Sequence, residues 1–327
     1  LTAMSNAVRI HATGGPEVLS WEAVDVGEPG PGEVRIRHTA VGLNYIDTYH
    51  RSGLYPLELP SGIGMEASGV VAAAGPGVAD LAVGDRVAYA SGPLGAYAEA
   101  RLMPADRVVR LPDGIDERTA AAALLKGLTA WYLLRRTYPV AAGETILFHA
   151  AAGGVGLIAC QWAKGLGATV IGTVGSEAQA ELAREHGCDH VIDYRREEVA
   201  ERVREITDGA GVPVVYDGVG KDTWTGSLDS LARFGMMVSF GNASGAVPPI
   251  APVELSAKGS LYLTRPTVMH YTAVREDLVA GANELFEVIE DGTVSIEVNQ
   301  TYSLADAAEA HRDLEARKTT GSTVLLP

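Results

Sequence analysis

Apolar and polar positions alternate in short runs through the first hundred or so residues, the period-two signature of half-buried strands. Residues 7–11 alternate, and 33–41 do so again through Val34, Ile36 and His38, with 69–74 and 85–89 continuing the pattern. Gly27-Glu-Pro-Gly-Pro-Gly32, Gly75-Pro-Gly77 and Gly92-Pro93 interrupt these runs, and such clusters mark turns. The pattern predicts an all-β module.

Near residue 115 the period changes. Residues 116–125 are Ala-rich and begin beside acidic side chains, which suit a helix N-terminus. Strands are then predicted at 145–149, 169–173, 190–192, 212–216 and 236–240, separated by helices at 156–166, 177–186, 197–207 and 227–231. Alternation with short connections predicts a parallel sheet covered on both faces. After Arg265 the chain reads as helices at 277–290 and 304–316 and a last strand, Ser322–Leu326. The simplest architecture is a nucleotide-type α/β domain inserted in a β-rich domain that the C-terminus rejoins.

Composition narrows the classes. A chain of 327 residues, 47% hydrophobic and 20% charged, suits two globular domains that need no disulfide or metal staple. The net charge of −15 argues against a surface that tracks nucleic-acid phosphates. Cys160 and Cys188 form no C-x-x-C and read as reduced, buried thiols of a cytoplasmic protein. No apolar stretch approaches the roughly 18 residues of a membrane span, and no basic-then-apolar leader opens the chain. Residues 1–3, ahead of Met4, read as a remnant of an expression vector.

The strongest local signal is Thr145-Ile-Leu-Phe-His-Ala-Ala-Ala-Gly-Gly-Val-Gly156, a strand, a small-residue turn and a helix opening at Leu157. Gly153 and Gly154 admit a sharp turn and a close pyrophosphate, Gly156 permits tight helix–strand packing, and the helix N-terminus offers unpaired N–H groups. An NAD site usually carries a carboxylate at the end of the second strand. Here that end reads Thr173-Val-Gly175-Ser176, so a 2′-phosphate meets no repulsion and NADPH is favoured over NADH. Ser176 and Gln179 also fit a capping box, with Gln179 reaching back to the N-cap.

Several further runs carry a family resemblance. They are Gly143-Glu144 with Leu147, Ala151-Ala-Gly-Gly154, Gly156, Gln161 and Lys164; Gly14-Gly-Pro-Glu-Val-Leu19; Asn44-Tyr-Ile-Asp-Thr-Tyr49; and Arg51-Ser-Gly-Leu-Tyr55. Leu125-Lys-Gly-Leu-Thr129, Val238-Ser-Phe-Gly-Asn242 and Gly259-Ser-Leu-Tyr-Leu-Thr-Arg265 complete the set. Over nearly its whole length the chain resembles the zinc-free quinone oxidoreductases, the zeta-crystallin-like branch of the medium-chain dehydrogenase/reductases, and especially bacterial NADPH:quinone reductases. The resemblance implies a discontinuous GroES-like catalytic domain (1–124 and 268–327), a Rossmann NADPH domain (125–267), and an active site in the cleft between them. It carries cofactor contacts onto Asn44, Thr129, Tyr132, Ala152, Gly153, Gly154, Val155, Gly175, Ser176, Tyr194, Phe240, Gly241, Asn242, Ser244, Leu263, Arg265 and Arg317. Tyr132 and Phe240 also read as plain core aromatics, and Arg265 as a surface ion-pair partner.

Two departures matter. Similar enzymes place a lysine where Gln179 stands, and a neutral donor binds phosphate more weakly than a charged one. A weakened preference over NADH follows, with Tyr194, Ser176 and Arg195 left to hold the phosphate. Zinc-dependent relatives carry a Cys near Asn44 and a Gly-His-Glu, where this chain has Gly64-Met65-Glu66, so no tetrahedral zinc is expected. Without zinc, hydride delivery to an already electrophilic quinone is the natural chemistry, with Asn44, Tyr49 and Tyr55 as candidates for orienting it. Reduction of an enone or enal C=C bond is the nearest alternative. A non-catalytic nucleotide-binding or crystallin-type protein is the other. The resemblance, with the apolar character of the strands near 236–240 and 259–263, also implies a homodimer through them; the net charge and the lack of a long apolar stretch leave no nucleic acid or membrane partner expected.

Overall fold

A computed structural model describes residues 4–327; residues 1–3, read above as a vector remnant, lie outside the described residues. In chain order it opens with β1 (Met4–Ile10), β2 (Ser20–Asp25), β3 (Glu33–Leu43), α1 (Tyr45–Ser52), β4 (Ser61–Gly62), β5 (Glu66–Ala74), β6 (Arg86–Tyr89), β7 (Ala100–Pro104) and β8 (Val109–Arg110). The helix α1 corrects the all-β expectation. Its sequence, Tyr-Ile-Asp-Thr-Tyr-His-Arg-Ser, has strand-forming aromatics, but Asn44 starts it in extended conformation and Asp47 Oδ2 accepts the Asn44 N–H at 2.9 Å. Gly53 ends it with φ of 83°, a left-handed stop that glycine adopts without strain.

The helix α2 (Glu117–Tyr132) outruns the predicted 116–125 and passes into a π turn at Leu133–Thr137. Then follow β9 (Thr145–Phe148), α3 (Gly154–Gly165), β10 (Thr169–Val174), α4 (Glu177–Glu185), β11 (His190–Asp193), α5 (Val199–Ile206), β12 (Val212–Asp217), α6 (Trp224–Ser230), β13 (Leu231–Ser239), α7 (Val253–Ala257), β14 (Tyr262–Thr264) and α8 (Val268–Tyr271). The chain closes with α9 (Arg275–Glu290), β15 (Val298–Ser303), α10 (Ala307–Glu315) and β16 (Ser322–Leu326). Neither β14 nor β15 is signalled by alternation. Both lie at the end of a sheet, where only one neighbour constrains the residues.

The described chain divides into two units, and the division falls within α2. One unit runs to Lys126 and takes up Ala273–Glu290 and Ile296–Pro327; the other is Gly127–Thr272 with Asp291–Ser295. The first is built on a sheet in the order β15-β16-β3-β5-β6-β8, with β7 also paired to β3 and a smaller sheet β2-β1-β4. Its core is Ile10, Ile36, Ile63, Val87, Tyr89, Met103 and Leu325, all 1% exposed or less. The second is an all-parallel six-stranded sheet in the order β11-β10-β9-β12-β13-β14. That order is the doubly wound Rossmann arrangement, in which strand order reverses between β9 and β12 and ligands bind beyond the carboxyl ends.

Candidate active site

The carboxyl edge of the parallel sheet gathers most of the candidate cofactor residues. Ala152, Gly153, Gly154 and Val155 follow β9; Gly175, Ser176 and Gln179 follow β10; Tyr194 follows β11; Phe240, Gly241, Asn242 and Ser244 follow β13; Arg265 follows β14, and Leu263 lies within it. Thr129 and Tyr132 sit on α2 in the same unit, whereas Asn44, Tyr49, Tyr55 and Arg317 belong to the other.

The turn after β9 is built from backbone. Ala150 takes a φ of 53°, Gly153 N–H donates to Ala150 O at 2.9 Å, and Leu157 N–H returns to Gly153 O at 2.9 Å. A Cβ on Gly156 would press on the Ala150 carbonyl oxygen and stand 2.7 Å from that of Ala151. The close approach therefore requires glycine at 156. The first-turn N–H groups of α3 are suited to a pyrophosphate.

Beneath this turn runs a buried chain of hydrogen bonds absent from the sequence reading. Ala150 N–H donates to Thr173 Oγ1 (3.2 Å), Thr173 lies 3.0 Å from His149 Nδ1, and His149 Nε2 lies 2.8 Å from Ser227 Oγ. Ser227 donates to Asp217 Oδ2 at 2.6 Å; its single proton spent, it accepts from His149, which fixes the imidazole with its proton on Nε2. Asp217 also accepts from Thr223 Oγ1 and the N–H groups of Val219 and Gly220. Burial opposes the Asp217 charge, yet His149 and these donors together hold its carboxyl below the ordinary range. Burial lowers the His149 pKa, and the nearby Asp217 carboxylate opposes that shift.

At the end of β10, Ser176 caps α4 by accepting Gln179 N–H at 3.2 Å. Gln179 Oε1 accepts from Gly175 N–H at 2.9 Å, one residue before the N-cap expected above. The phenol of Tyr194 packs so closely over Gly175 that a Cβ there would collide with it. Glu177 turns to Arg184 at 3.1 Å, so the strand end presents neutral donors and no carboxylate. Tyr132 stacks on Tyr271 at 4.6 Å and 5°, and Thr137 donates to the Tyr271 hydroxyl. Phe240 packs on Phe148 at 5.9 Å. Ser244 braces the loop after β12, donating to Val219 O and accepting from Asp222 N–H. Arg265 donates to the carbonyl of Pro266.

In the first unit Tyr49 and Tyr55 meet at 5.2 Å, with Tyr55 N–H on Tyr49 O. Beside Asn44 stand three groups the periodicity did not single out. Glu66, fully buried, accepts from Asn44 Nδ2 (2.7 Å) and Leu125 N–H (2.7 Å), and Lys126 Nζ lies 3.7 Å from it. Asp47 accepts from Asn44 N–H and Tyr97 OH; Tyr97 in turn meets His311 Nε2 at 3.0 Å, and His311 Nδ1 meets Arg51. A lysine inside the apolar helical run Ala120 to Trp131 was the available signal, since charged residues are rarely buried without a partner.

Burial pushes the Asp47 carboxyl up to about 7 against these two donors, and its Oδ1 has no protein partner. A raised folded pKa gives stability that is complete below the unfolded value and is lost as pH rises through the folded one. Denaturant midpoints should therefore fall between about pH 4 and 7 by this contribution. Asp47→Asn should flatten that slope, which urea titrations across the range would measure.

The chain is similar to known proteins over both units. The family described as alcohol dehydrogenase GroES-like domain matches residues 30–113, and that described as zinc-binding dehydrogenase matches 154–287. A Pseudomonas aeruginosa quinone oxidoreductase is 59% identical, with 99% of this chain and 100% of that one aligned. A 2-haloacrylate reductase from a Burkholderia species is 49% identical over 99% of both chains. The crystal structure of Escherichia coli quinone oxidoreductase complexed with NADPH superposes with a TM-score of 0.97 at 51% identity, covering 98% of this chain and 100% of that one. The zinc in one family's description does not fit the residues here. Glu66 already pairs with the Lys126 ammonium, which would repel a metal ion, and Met65 precedes it. Among the described residues no three His, Cys, Asp or Glu side chains group to hold a metal.

Proposed function

The chain belongs to the quinone oxidoreductase family, and on that premise we propose that it reduces quinones with NADPH, without a metal. The end of β10 carries the cofactor choice. Gly175, Ser176, Gln179 and Tyr194 surround it with neutral groups and no carboxylate, an environment that admits a 2′-phosphate. Bound NADPH supplies a hydride equivalent, and the quinone takes it with a proton to become a hydroquinone. The protein's part is to orient and to shield. The first-turn N–H groups of α3 hold the pyrophosphate, and Asn44, Tyr49 and Tyr55 orient the acceptor.

Oxidation of NADPH and NADH, each followed with 1,4-benzoquinone, a naphthoquinone and a simple enone, tests the reading. Fast loss of NADPH with quinones supports it; turnover of the enone alone would replace it with alkene reduction. The 49% identity to a 2-haloacrylate reductase favours that as the second reading. Gln179→Lys should lower the NADPH Kd by roughly 10-fold, the scale of one charge-assisted phosphate contact. NADH binding should change little, and fluorescence titration would measure both.

The same reading proposes a homodimer formed through the edge strand β14. Tyr262 there is 62% exposed and Phe234 60%, and an unpaired strand edge invites pairing. Sedimentation should give twice the chain mass, and Tyr262→Arg should shift it toward the monomer; a monomeric parent at micromolar concentration would overturn this. A cytoplasmic location is proposed from the free thiols of Cys160 and Cys188 and is tested by cell fractionation. Among the described residues no helix is long and apolar enough to cross a membrane.

A further inference from the structure

The side-chain amide of Asn44 stands between two buried charges. Lys126 Nζ donates to Asn44 Oδ1 at 3.0 Å and to Leu43 O at 3.1 Å, while Asn44 Nδ2 donates to Glu66 Oε2 at 2.7 Å. Asn44, Glu66 and Lys126 are 8%, 0% and 5% exposed. A carboxamide can be turned half a revolution with almost no change of shape, so packing alone does not choose its orientation. An ammonium only donates and a carboxylate only accepts. Lysine on one side and glutamate on the other therefore admit one orientation. The reverse would aim N–H at the ammonium and C=O at the carboxylate, in an interior where charges are weakly screened.

The frame around the amide is itself pinned. Leu125 N–H holds Glu66 Oε1, and Asp47 Oδ2 holds the Asn44 backbone N–H at 2.9 Å. Gly42 makes room, since a Cβ there would collide with both the Glu66 carboxylate and the Ala121 carbonyl. With Oδ1 and one Nδ2–H engaged, the second Nδ2–H has no partner among the described residues.

We propose that Lys126 is a positioning residue: paired across Asn44 with Glu66, it locks the carboxamide so that the second Nδ2–H donates to the oxygen that gains charge as a quinone is reduced. The lock stands on geometry; its use in turnover rests on the quinone-reduction reading. A donor already aimed where charge develops needs no reorganisation during the reaction.

Two variants separate the lock from folding. Lys126→Met removes the ammonium but leaves the Glu66 charge buried alone, so Lys126→Met/Glu66→Gln removes both charges together. Asparagine-selective 15N labelling, with Asn44 assigned by its absence from Asn44→Ala, should show two well-separated, slowly exchanging amide protons in the parent. In the folded double variant that separation should collapse. The kcat for quinone should fall roughly 10-fold or more, by loss of an aimed donor. Adding Asn44→Ala to the double variant should then change little, because the two changes remove one function. Unchanged Asn44 amide resonances, or the full Asn44→Ala effect in that background, would overturn the proposal. A parent that turns over no quinone would overturn the quinone reading instead, leaving the resonances to decide the lock.

Discussion

Gly156→Ala is expected to weaken NADPH binding by roughly 10-fold or more, the scale of losing a charge-assisted contact to the pyrophosphate. The methyl group would press on the Ala150 carbonyl and stand 2.7 Å from that of Ala151, and both obstacles are backbone. No rotamer change relieves the clash, so the turn and the first turn of α3 must move apart. Moving them misaligns the N–H groups meant for the pyrophosphate. Overpacking of this kind also destabilises by about 1–3 kcal/mol, so the variant should fold with a lowered unfolding midpoint. Fluorescence titration with NADPH, alongside circular dichroism, separates the two effects. Parent-like affinity in the variant would show that α3 does not hold the pyrophosphate.

Asp217→Ala should lower the stability of the Rossmann unit by about 3–5 kcal/mol, the effect of leaving buried donors without their charged acceptor. Four donors meet this carboxylate: Thr223 and Ser227 hydroxyls and the N–H groups of Val219 and Gly220. Through Ser227, His149 and Thr173 the chain of bonds ends at Ala150 N–H, in the turn beside α3. The loss should therefore reach cofactor affinity as well as the unfolding midpoint. Because the Asp217 carboxyl lies below the ordinary range, its contribution is present above about pH 4 and is lost as pH falls through the folded value. Chemical unfolding of parent and variant from pH 6 down to 2 should show curves that stay parallel above about pH 4 and converge below it. Parallel curves across that range would rule out the carboxylate as the source.

Much of the second unit was legible because its signals are local. A strand run, a small-residue turn and a helix start stand next to one another between Thr145 and Leu157, and the chain there folds as β9, a turn and α3. Gly175-Ser176 likewise announced a strand end without a carboxylate. The first unit was less legible. Tyr45–Ser52 looks no more helical than its neighbours, and α1 exists because Asn44 and Asp47 bond to each other's ends and Gly53 stops it. Strand β15 was not expected, and β14 was placed near 259–263 by resemblance alone, because an edge position relaxes the alternation that marks a strand.

Local spacing and residue type thus determined a parallel sheet covered on both faces, its Gly turn and the absence of zinc ligands at Asn44 and Met65. Only the tertiary structure decided the partners of buried charges. Glu66 and Lys126 lie far apart in sequence yet flank one amide, and Asp217 gathers donors from a loop, a helix and, through His149, the strand end of β9. Periodicity reports which face of an element is apolar. It carries no information about which polar groups meet once the elements pack, and that meeting lowers the Asp217 pKa and sets the orientation of Asn44.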